Sequence, residues 1–450
     1  MDMAIQRPAG ERGKVLLLSM LFMGLGHIIY LKDYVKGIIF ALVEALMIAF
    51  SPRVFTVLQY LVTLGDPHPE LPIMQRDNSI FMLIDGVMML AVLAIYLCIY
   101  IISVRGTLAA YDEFVLKGKL KKSHVIGDLA GKSFHLAGLA PSVLMIVFFV
   151  IVPLIFSVLV AFTNYSSSYV GAGGVVSNHI PPNNTVDWVG LDNFIAMFGG
   201  QKTWTGALGR IAGWTLVWGA LATLTCYMGG TLLAVVLHES KIKLIPFFRT
   251  VFILPYAVPA VVSMLVWRNL LNGSFGTVNQ TLIALGIITQ DTVIPWLSND
   301  WLAKFTCVLI NFWAGVPYFM LLVTGTLTSI SADILEAASI DGANKFQTFR
   351  KITLPMVLYQ TMPLIIMSFT FNINNFGAIF FLTGGAPSVA DTTTTSAGGT
   401  DILVTWLYKL TINLMDYKFA SVLAVMIFVV LAPFAIFNFR RTKSFKEGRI

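Results

Sequence analysis

Ser331-Ala332-Asp333-Ile334-Leu335-Glu336-Ala337-Ala338-Ser339-Ile340-Asp341-Gly342-Ala343, with Ile352-Thr353-Leu354-Pro355 a few residues later, is a polar island between two long apolar runs. It reads as a short helix, a turn and the start of a second helix. Asp333 is a candidate N-cap. Asp341-Gly342 offers the turn that stops the helix, because glycine accepts a positive φ at no steric cost. Pro355 suits the first turn of the second helix. Ala337, Ala338 and Ala343 make a surface of low relief, and Glu336 offers a charge to a basic partner. On the residues alone two readings stand: an element that docks into a groove of another protein, or an ordinary exposed helical hairpin.

Working outward, the runs on either side of this island set the class of protein. The 450 residues are 57% apolar and only 12% charged. The mean hydropathy is +0.79, beyond what a soluble chain of this size uses to cover its surface. Apolar stretches near or above the ~20 residues that cross a bilayer as helix fall at 37–60, 80–104, 134–163, 212–238, 248–271, 301–328, 356–382 and 418–439. The expected fold is therefore all-α and polytopic, with eight transmembrane helices. A further stretch, Val15 to Tyr30, is shorter and carries Gly24, Gly26 and His27, which suits an interfacial or re-entrant helix better than a crossing. It has no small-residue cleavage site of a removable signal peptide.

Lys and Arg accumulate on the cytoplasmic side of membrane proteins. Assigning 1–14, 31–37, 105–133, 239–249, 329–355 and 440–450 to that side places most of the 30 basic residues there, with both termini cytoplasmic. The net charge of +7 follows from this asymmetry and calls for no nucleic-acid partner. The expected organisation is an N-terminal region at 1–133 with two spans and a basic connector containing Lys117, Lys119, Lys121 and Lys122. A first core helix with its outer loop occupies 134–211, then a helical core at 212–440 that includes the loop 331–355, and a basic tail at 441–450. Cys98, Cys226 and Cys307 lie in apolar stretches with no metal-like spacing, so packing is their expected role. Glu44, alone among apolar neighbours, costs roughly 2.5–3.5 kcal/mol as an intramembrane carboxylate and is expected to be paired or turned inward. The outer segment 383–400, rich in Gly, Thr and Ser, is expected to lack regular structure.

Glu336-Ala337-Ala338, Asp341-Gly342-Ala343 and Ile352-x-Leu354-Pro355 resemble the EAA loop of binding-protein-dependent ABC importers. The likeness runs over roughly 134–440. Trp188-Val189-Gly190-Leu191-x-Asn193-Phe194, Leu254-Pro255-Tyr256 with Trp267, and Phe275-Gly276-x-x-Asn279 are similar to the sugar-permease branch. Asn311-x-Trp313-x-Gly315-x-Pro317-Tyr318 and Ser368-Phe369-x-Phe371-Asn372-x-Asn374-Asn375-Phe376 resemble the MalF-type maltose/maltodextrin permeases. The resemblance implies a type I importer core of six helices. In that core Glu336, Ala337, Ala338, Asp341, Gly342 and Ala343 form a coupling helix that inserts into a cleft of an ATP-binding subunit. Some members of that type carry a large folded insert in the first outer loop of the core, and here only 164–211 is available for it.

Ser368, Phe371, Asn372 and Asn375 are spaced i, i+3, i+4, i+7, as are, in part, Asn311, Gly315 and Tyr318, so each set is expected on one helical face. Polar groups on an otherwise apolar helix face a neighbouring helix or a wet cavity, because lipid gives them no partner. Amides and aromatic faces without net charge suit a neutral sugar, while interhelical hydrogen bonding explains the same pattern. The resemblance places sugar contacts at Asn311, Trp313, Gly315, Tyr318, Ser368, Phe371, Asn372 and Asn375, and leaves Asn374 structural. Pro255 and Pro259 are expected to kink the fifth span.

Gly127 to Ser133 imitates a P-loop but has one residue too few between its glycines and no buried strand before it. No catalytic constellation, metal set or cofactor motif appears. The resemblance implies a multi-pass permease subunit of the prokaryotic cytoplasmic membrane, moving maltose or maltodextrin and not itself an enzyme. Its implied partners are a second, MalG-like permease, a MalK-like ATPase homodimer, an extracytoplasmic sugar-binding protein, the oligosaccharide and membrane lipid. The alternatives are a permease for another oligosaccharide or glycoside of the same family, a secondary sugar transporter, which would carry intramembrane charge pairs and inverted repeats, and a polytopic membrane enzyme.

Overall fold

The computed structural model of the chain describes residues 9–117, 134–166, 169–170, 176–177, 185–200, 202–239 and 243–441. The lysine cluster at 119–122, the glycine-lysine run at 127–133, most of 167–184 and the tail from 442 onward lie outside the described residues. The described chain is all-α as expected, apart from one two-residue antiparallel pairing of Tyr169–Val170 with Val176–Ser177. It divides into two compact units, Met1–Trp188 and Val189–Ile450.

The first unit holds α1 (Ala9–Leu21), α2 (Leu25–Ile29), α3 (Tyr34–Ala49), α4 (Ser51–Thr63), α5 (Ser79–Lys117), α6 (Phe134–Ile146) and α7 (Val152–Val160). A π-helical turn, Val147–Ile151, joins α6 to α7. The sequence Ser51-Pro52 explains why α3 and α4 meet at a 54° bend. Proline at the start of α4 has no N–H to continue the ladder of α3 and restricts the residue before it.

The stretch Val15 to Tyr30 becomes α1, a tight turn and α2, and neither helix is long enough to cross a membrane. Gly24 makes the turn at φ 89°, and a Cβ there would lie 2.1 Å from the carbonyl oxygen of Gly37 on α3, so the backbones touch directly. Buried Glu44 accepts a hydrogen bond from the Met23 N–H at the tip of this turn. That contact accounts for an acidic residue in an apolar helix: it satisfies a backbone donor freed by the turn. His27 is also buried, with Nδ1 2.8 Å from the Thr107 hydroxyl of α5.

The second unit holds α8 (Lys202–Glu239), α9 (Ile245–Ala257), α10 (Ala260–Leu270), α11 (Thr277–Ala284), α12 (Asp300–Thr328), α13 (Ala332–Ile340), α14 (Leu354–Ile373), α15 (Phe376–Thr383), α16 (Leu403–Ile412) and α17 (Tyr417–Arg441). α8 packs along the length of α12 and against α14, and α10 packs on α15. Among the described residues six helical segments are long and apolar enough to span a bilayer, or up to eight if each bent pair is one span. The second bent pair is α9 and α10, which meet at 89°. The break falls at Val258-Pro259, where both residues turn extended, while Pro255 stays inside α9. Proline thus explains the break as expected, although one of the two prolines makes it. The seventh stretch also breaks: α14 ends at Ile373 and α15 begins at Phe376.

Segment 383–401 has little regular structure, as its composition implies. Regular structure is confined to one helical turn, Thr392–Thr395, and an isolated bridge between Ser388 and Gly398. The segment is nonetheless tightly held, with Thr395, Ala397, Thr400 and Asp401 fully buried. Arg210 of α8 donates to the Gly398 carbonyl at 2.7 Å and pairs with Asp391 at 2.6 Å. The indoles of Trp214 and Trp406 donate to the carbonyls of Thr400 and Thr395. Threonine hydroxyls close the remaining gaps, Thr383 to Thr400 at 2.7 Å and Thr392 to the Ala397 carbonyl at 2.6 Å. A composition that suggests a loose linker makes a place where short side chains let backbone and hydroxyls meet.

Candidate functional site

Two sets of side chains carry the functional expectations, one midway along α8 and α12 and toward the end of α14, and one on the segment 331–343. The first is organised by α8, where Thr223 and Cys226 stand among apolar residues and face α12 and α14. Asn372 is buried, and its amide donates to the Thr223 hydroxyl at 3.0 Å and reaches Ser368 at 3.5 Å. Trp218 of α8 donates its indole N–H to the Asn372 carbonyl at 3.0 Å. Asn311 of α12 and Cys226 exchange long contacts: the thiol to the Asn311 carbonyl at 3.4 Å, and the amide to the sulfur at 3.5 Å. Gly315 lies one turn further on, where an added Cβ would come 2.7 Å from the Cys226 sulfur. Asn311, Gly315, Ser368 and Asn372 are thus brought together around one stretch of α8, as an interhelical polar seam.

Trp313 and Tyr318 turn away from that seam toward the broken helix pair. Trp313 meets Trp267 of α10 edge to face at 5.5 Å, and Tyr318 meets Tyr256 of α9 at 6.2 Å. The two aromatic pairs flank the 89° break from both sides, with Trp313 37% exposed. Aromatic faces held at such a break present flat apolar surface beside backbone groups that the break has released from helical bonding.

Phe371 is 66% exposed and takes no part in either group. Asn375 does not share a continuous face with Ser368, Phe371 and Asn372, because the helix ends between them. Its side chain instead accepts from the Ala378 N–H at 3.3 Å as the N-cap of α15. Asn374 closes α14 and is exposed. Sequence reasoning passes over Thr223 and Trp218, and it meets Tyr256 only within a family motif, with no site role. The signal that marks the first two is the small and polar stripe Thr215, Gly219, Ala222, Thr223 and Cys226 at helical spacing on α8, the pattern of a close helix interface.

The segment 331–343 folds as the helix and turn its residues imply. The cap is Ser331, not Asp333: the Ser331 hydroxyl accepts from the Asp333 N–H at 3.3 Å, and the Asp333 carboxylate accepts from that hydroxyl in turn. Ser331 holds the extended backbone that an N-cap requires, whereas Asp333 is already helical. At the other end Gly342 takes φ 76°, the Gly342 N–H bonds the Ser339 carbonyl at 3.1 Å, and the Ala343 N–H bonds the Ala338 carbonyl at 3.0 Å. This is a Schellman termination. Ala338 is buried, and Ala343 is half-buried, so the presented face consists of Glu336, Ala337, Asp341 and Gly342 together with Ile340 at 86% exposure. Pro355 sits in the first turn of α14, as its position suggests. No group of three or more metal-ligating side chains exists among the described residues.

A helical bundle with broken spans, a polar seam inside an apolar core and an ordered, exposed helix between two spans is an architecture that suits a membrane transport subunit. The family described as "Binding-protein-dependent transport system inner membrane component" matches residues 227–442. The galactooligosaccharides transport system permease protein GanP of Bacillus subtilis (strain 168) is 36% identical over 443 residues, covering 97% of this chain and 99% of that one. The maltodextrin transport system permease protein MdxF of the same organism is 33% identical over 98% of both chains. A crystal structure of a bacterial ABC transporter involved in the import of the acidic polysaccharide alginate has the same fold. It matches with a TM-score of 0.54 at 21% identity, over 71% of this chain and all of that one. This chain belongs to the binding-protein-dependent inner-membrane permeases and is a multi-pass permease subunit of an ABC importer.

Proposed function

We propose that this permease forms one half of the pathway for a neutral oligosaccharide, maltose or a maltodextrin, entering a prokaryotic cell. The observation that carries the reading is the pair of aromatic contacts at the α9–α10 break, Trp313 with Trp267 and Tyr318 with Tyr256. No ionisable group other than the tyrosine phenols belongs to them. Trp313 and Tyr318 cover the apolar faces of the sugar ring, and Asn311 and Asn372 reach its hydroxyls once the seam around α8 loosens. Gly315 and Ser368 leave room for that exchange, while Phe371, exposed near the end of α14, and Asn375, the cap of α15, stand outside both groups and would meet the sugar only after a rearrangement of that end. The 36% identity to a galactooligosaccharide permease favours a second reading, in which the same site takes a galactooligosaccharide.

Both termini lie in the cytoplasm in this reading. The face of Glu336, Ala337, Asp341 and Gly342 seats in a cleft of an ATP-hydrolysing homodimer, with Ala338 and Ala343 holding the helix from behind. A second permease chain completes the pathway, and an extracytoplasmic binding protein delivers the sugar. The chain itself performs no hydrolysis.

Uptake of labelled maltotriose and of a galactooligosaccharide into vesicles holding the full complex tests this. Trp313→Ala and Tyr318→Ala should each lower sugar uptake roughly tenfold, the loss of one aromatic contact, while ATP turnover stays within about twofold. Equal loss of both activities would assign these residues to packing. Preference for the galactooligosaccharide would select the second reading, and uptake by this chain alone on an ion gradient would overturn both. Glu336→Lys should abolish ATP-driven uptake and leave membrane insertion intact.

A further inference from the structure

The first unit contains a cleft of about 210 Å³ between α4 and α5 that the transport reading does not use. Its lining mixes two cations, two carboxylates and two aromatic rings: Arg53 and Arg76, Asp77 and Asp85, Tyr60 and Phe81. Part of this lining already has work. Arg76 donates to the carbonyls of Leu71 and Pro69, and Asp77 accepts from the Asp66 N–H, which together hold the connection from α4 to α5. Arg53 and Asp85 differ: among the described residues neither makes a hydrogen bond or ion pair, although both face the same cleft.

Their depth follows from α5. Gly86 to Val104 contains no charged residue, and Arg105 closes that run. From Asp85 to Arg105 is twenty residues of continuous helix, about 30 Å at 1.5 Å per residue, which equals the hydrocarbon thickness of a bilayer. If Arg105 marks one boundary, Asp85 and the cleft mark the other, at the level of lipid headgroups. Exposed Tyr60 and Phe81 at the rim suit that level, where aromatic rings concentrate. An unpartnered cation and an unpartnered carboxylate that line one cleft at headgroup depth ask for a ligand that carries both charges in the opposite sense.

We propose that this cleft binds the headgroup of an amine-bearing zwitterionic phospholipid of the phosphatidylethanolamine type. The Arg53 guanidinium takes the phosphate oxygens, for which its fork of donors is suited. The primary ammonium donates to Asp85, and the glycerol and first methylenes lie against Tyr60 and Phe81. Phosphatidylcholine lacks an N–H to give Asp85, and phosphatidylglycerol lacks the cation, so the site discriminates among phosphates by their second group. With both termini cytoplasmic the lipid belongs to the outer leaflet, and the proposal does not depend on which sugar the permease carries.

The test uses the full-length chain, with the subunits that co-purify, extracted into detergent, incubated with equimolar phosphatidylethanolamine, phosphatidylcholine and phosphatidylglycerol, washed, and analysed by mass spectrometry for retained lipid. Phosphatidylethanolamine should be retained about tenfold over the other two, the value of one charge-assisted contact. Arg53→Ala and Asp85→Asn should each remove that preference, whereas Arg53→Lys should keep most of it, which separates loss of the charge from loss of the fold. Equal retention of the three lipids by the unaltered chain would overturn the proposal, as would unchanged selectivity in Asp85→Asn. Displacement of the retained lipid by millimolar maltotriose would overturn it as well, by making the cleft a sugar site.

Discussion

The segments 331–343 and 383–401 are made of similar material and end in opposite states. Both are short-side-chain, glycine-containing links between apolar helices, and they lie at opposite ends of α12. Segment 331–343 is a well-capped helix that buries Ala338 and leaves Ile334, Leu335 and Ile340 between 36% and 86% exposed. Segment 383–401 has almost no regular structure, yet it buries Asp401 completely and answers its polar groups from the surrounding helices. An ordered helix that keeps apolar side chains in the open has its order supplied locally by caps, and its burial is what the proposed ATPase cleft would supply. A loop whose buried polar groups are answered from several helices serves to lock α8, α15, α16 and the start of α12 into one body.

The largest effect should come from removing the charge that the second segment cannot do without. Asp401 is fully buried and pairs with Lys409 at 2.6 Å, itself only 11% exposed. Lys409→Met leaves that carboxylate with just the Gly398 N–H and the Thr405 hydroxyl. Stranding a buried charge costs about 3–5 kcal/mol, so the detergent-purified chain should melt far earlier or fail to accumulate. A melting temperature within a degree or two of the unaltered chain would mean that 383–401 does not act as a lock.

Glycine substitutions make a matched pair across the two segments. An alanine Cβ at Gly398 would sit 2.0 Å from the Gly385 carbonyl oxygen, a backbone atom that cannot swing aside. Overpacking of that kind costs about 1–3 kcal/mol. At Gly342 a Cβ would meet nothing within 4 Å, and the cost is conformational alone, because φ is +76°. That amounts to about 1–2 kcal/mol for a non-glycine residue. Thermal melting should therefore rank Gly398→Ala as the more damaging, while vesicle uptake should be more sensitive to Gly342→Ala than its small stability loss explains. A reversed order in melting would erase the contrast between a space-limited and a conformation-limited glycine.

The same contrast separates what is legible in the sequence from what is not. Helix positions are legible because hydropathy is a local sum: stretches at 80–104, 212–238 and 301–328 need no knowledge of their neighbours to be placed. Pro259 announces the break between α9 and α10 for the same reason, since a missing N–H acts on its own turn. The seam is half legible. Asn311, Gly315 and Asn372 stand out by spacing, but the same spacing puts Asn375 on a face it does not share, because nothing within Phe371-Asn372-Ile373-Asn374-Asn375 marks where the helix stops. The lack of regular structure in 383–401 is legible in its composition, but its burial is not, for a deeper reason. Gly and Thr lower local order in a free chain, whereas here their hydroxyls and carbonyls are answered by Arg210, Trp214 and Trp406, two of them almost two hundred residues away in sequence.

The smallest expected effect on stability tests the first segment most directly. Ile340 lies 86% exposed at the last turn of α13, with no role in holding the helix, which Ser331 and the Gly342 turn already terminate. Ile340→Asp should change the melting temperature of the purified chain very little, since exposed substitutions away from caps and cores stay within about 0.5 kcal/mol. The same change places a charge where the proposed ATPase cleft would bury an isoleucine, forfeiting the roughly 1.5–3 kcal/mol such burial contributes and adding the cost of desolvating a carboxylate. Co-purification with the ATP-binding subunit should therefore fall at least tenfold while the chain itself remains folded. If the subunits stay together at unaltered yield, the open face of α13 is not the one that meets the motor. The docking surface must then be sought on the basic turn beyond Gly342, where Phe346 is also exposed.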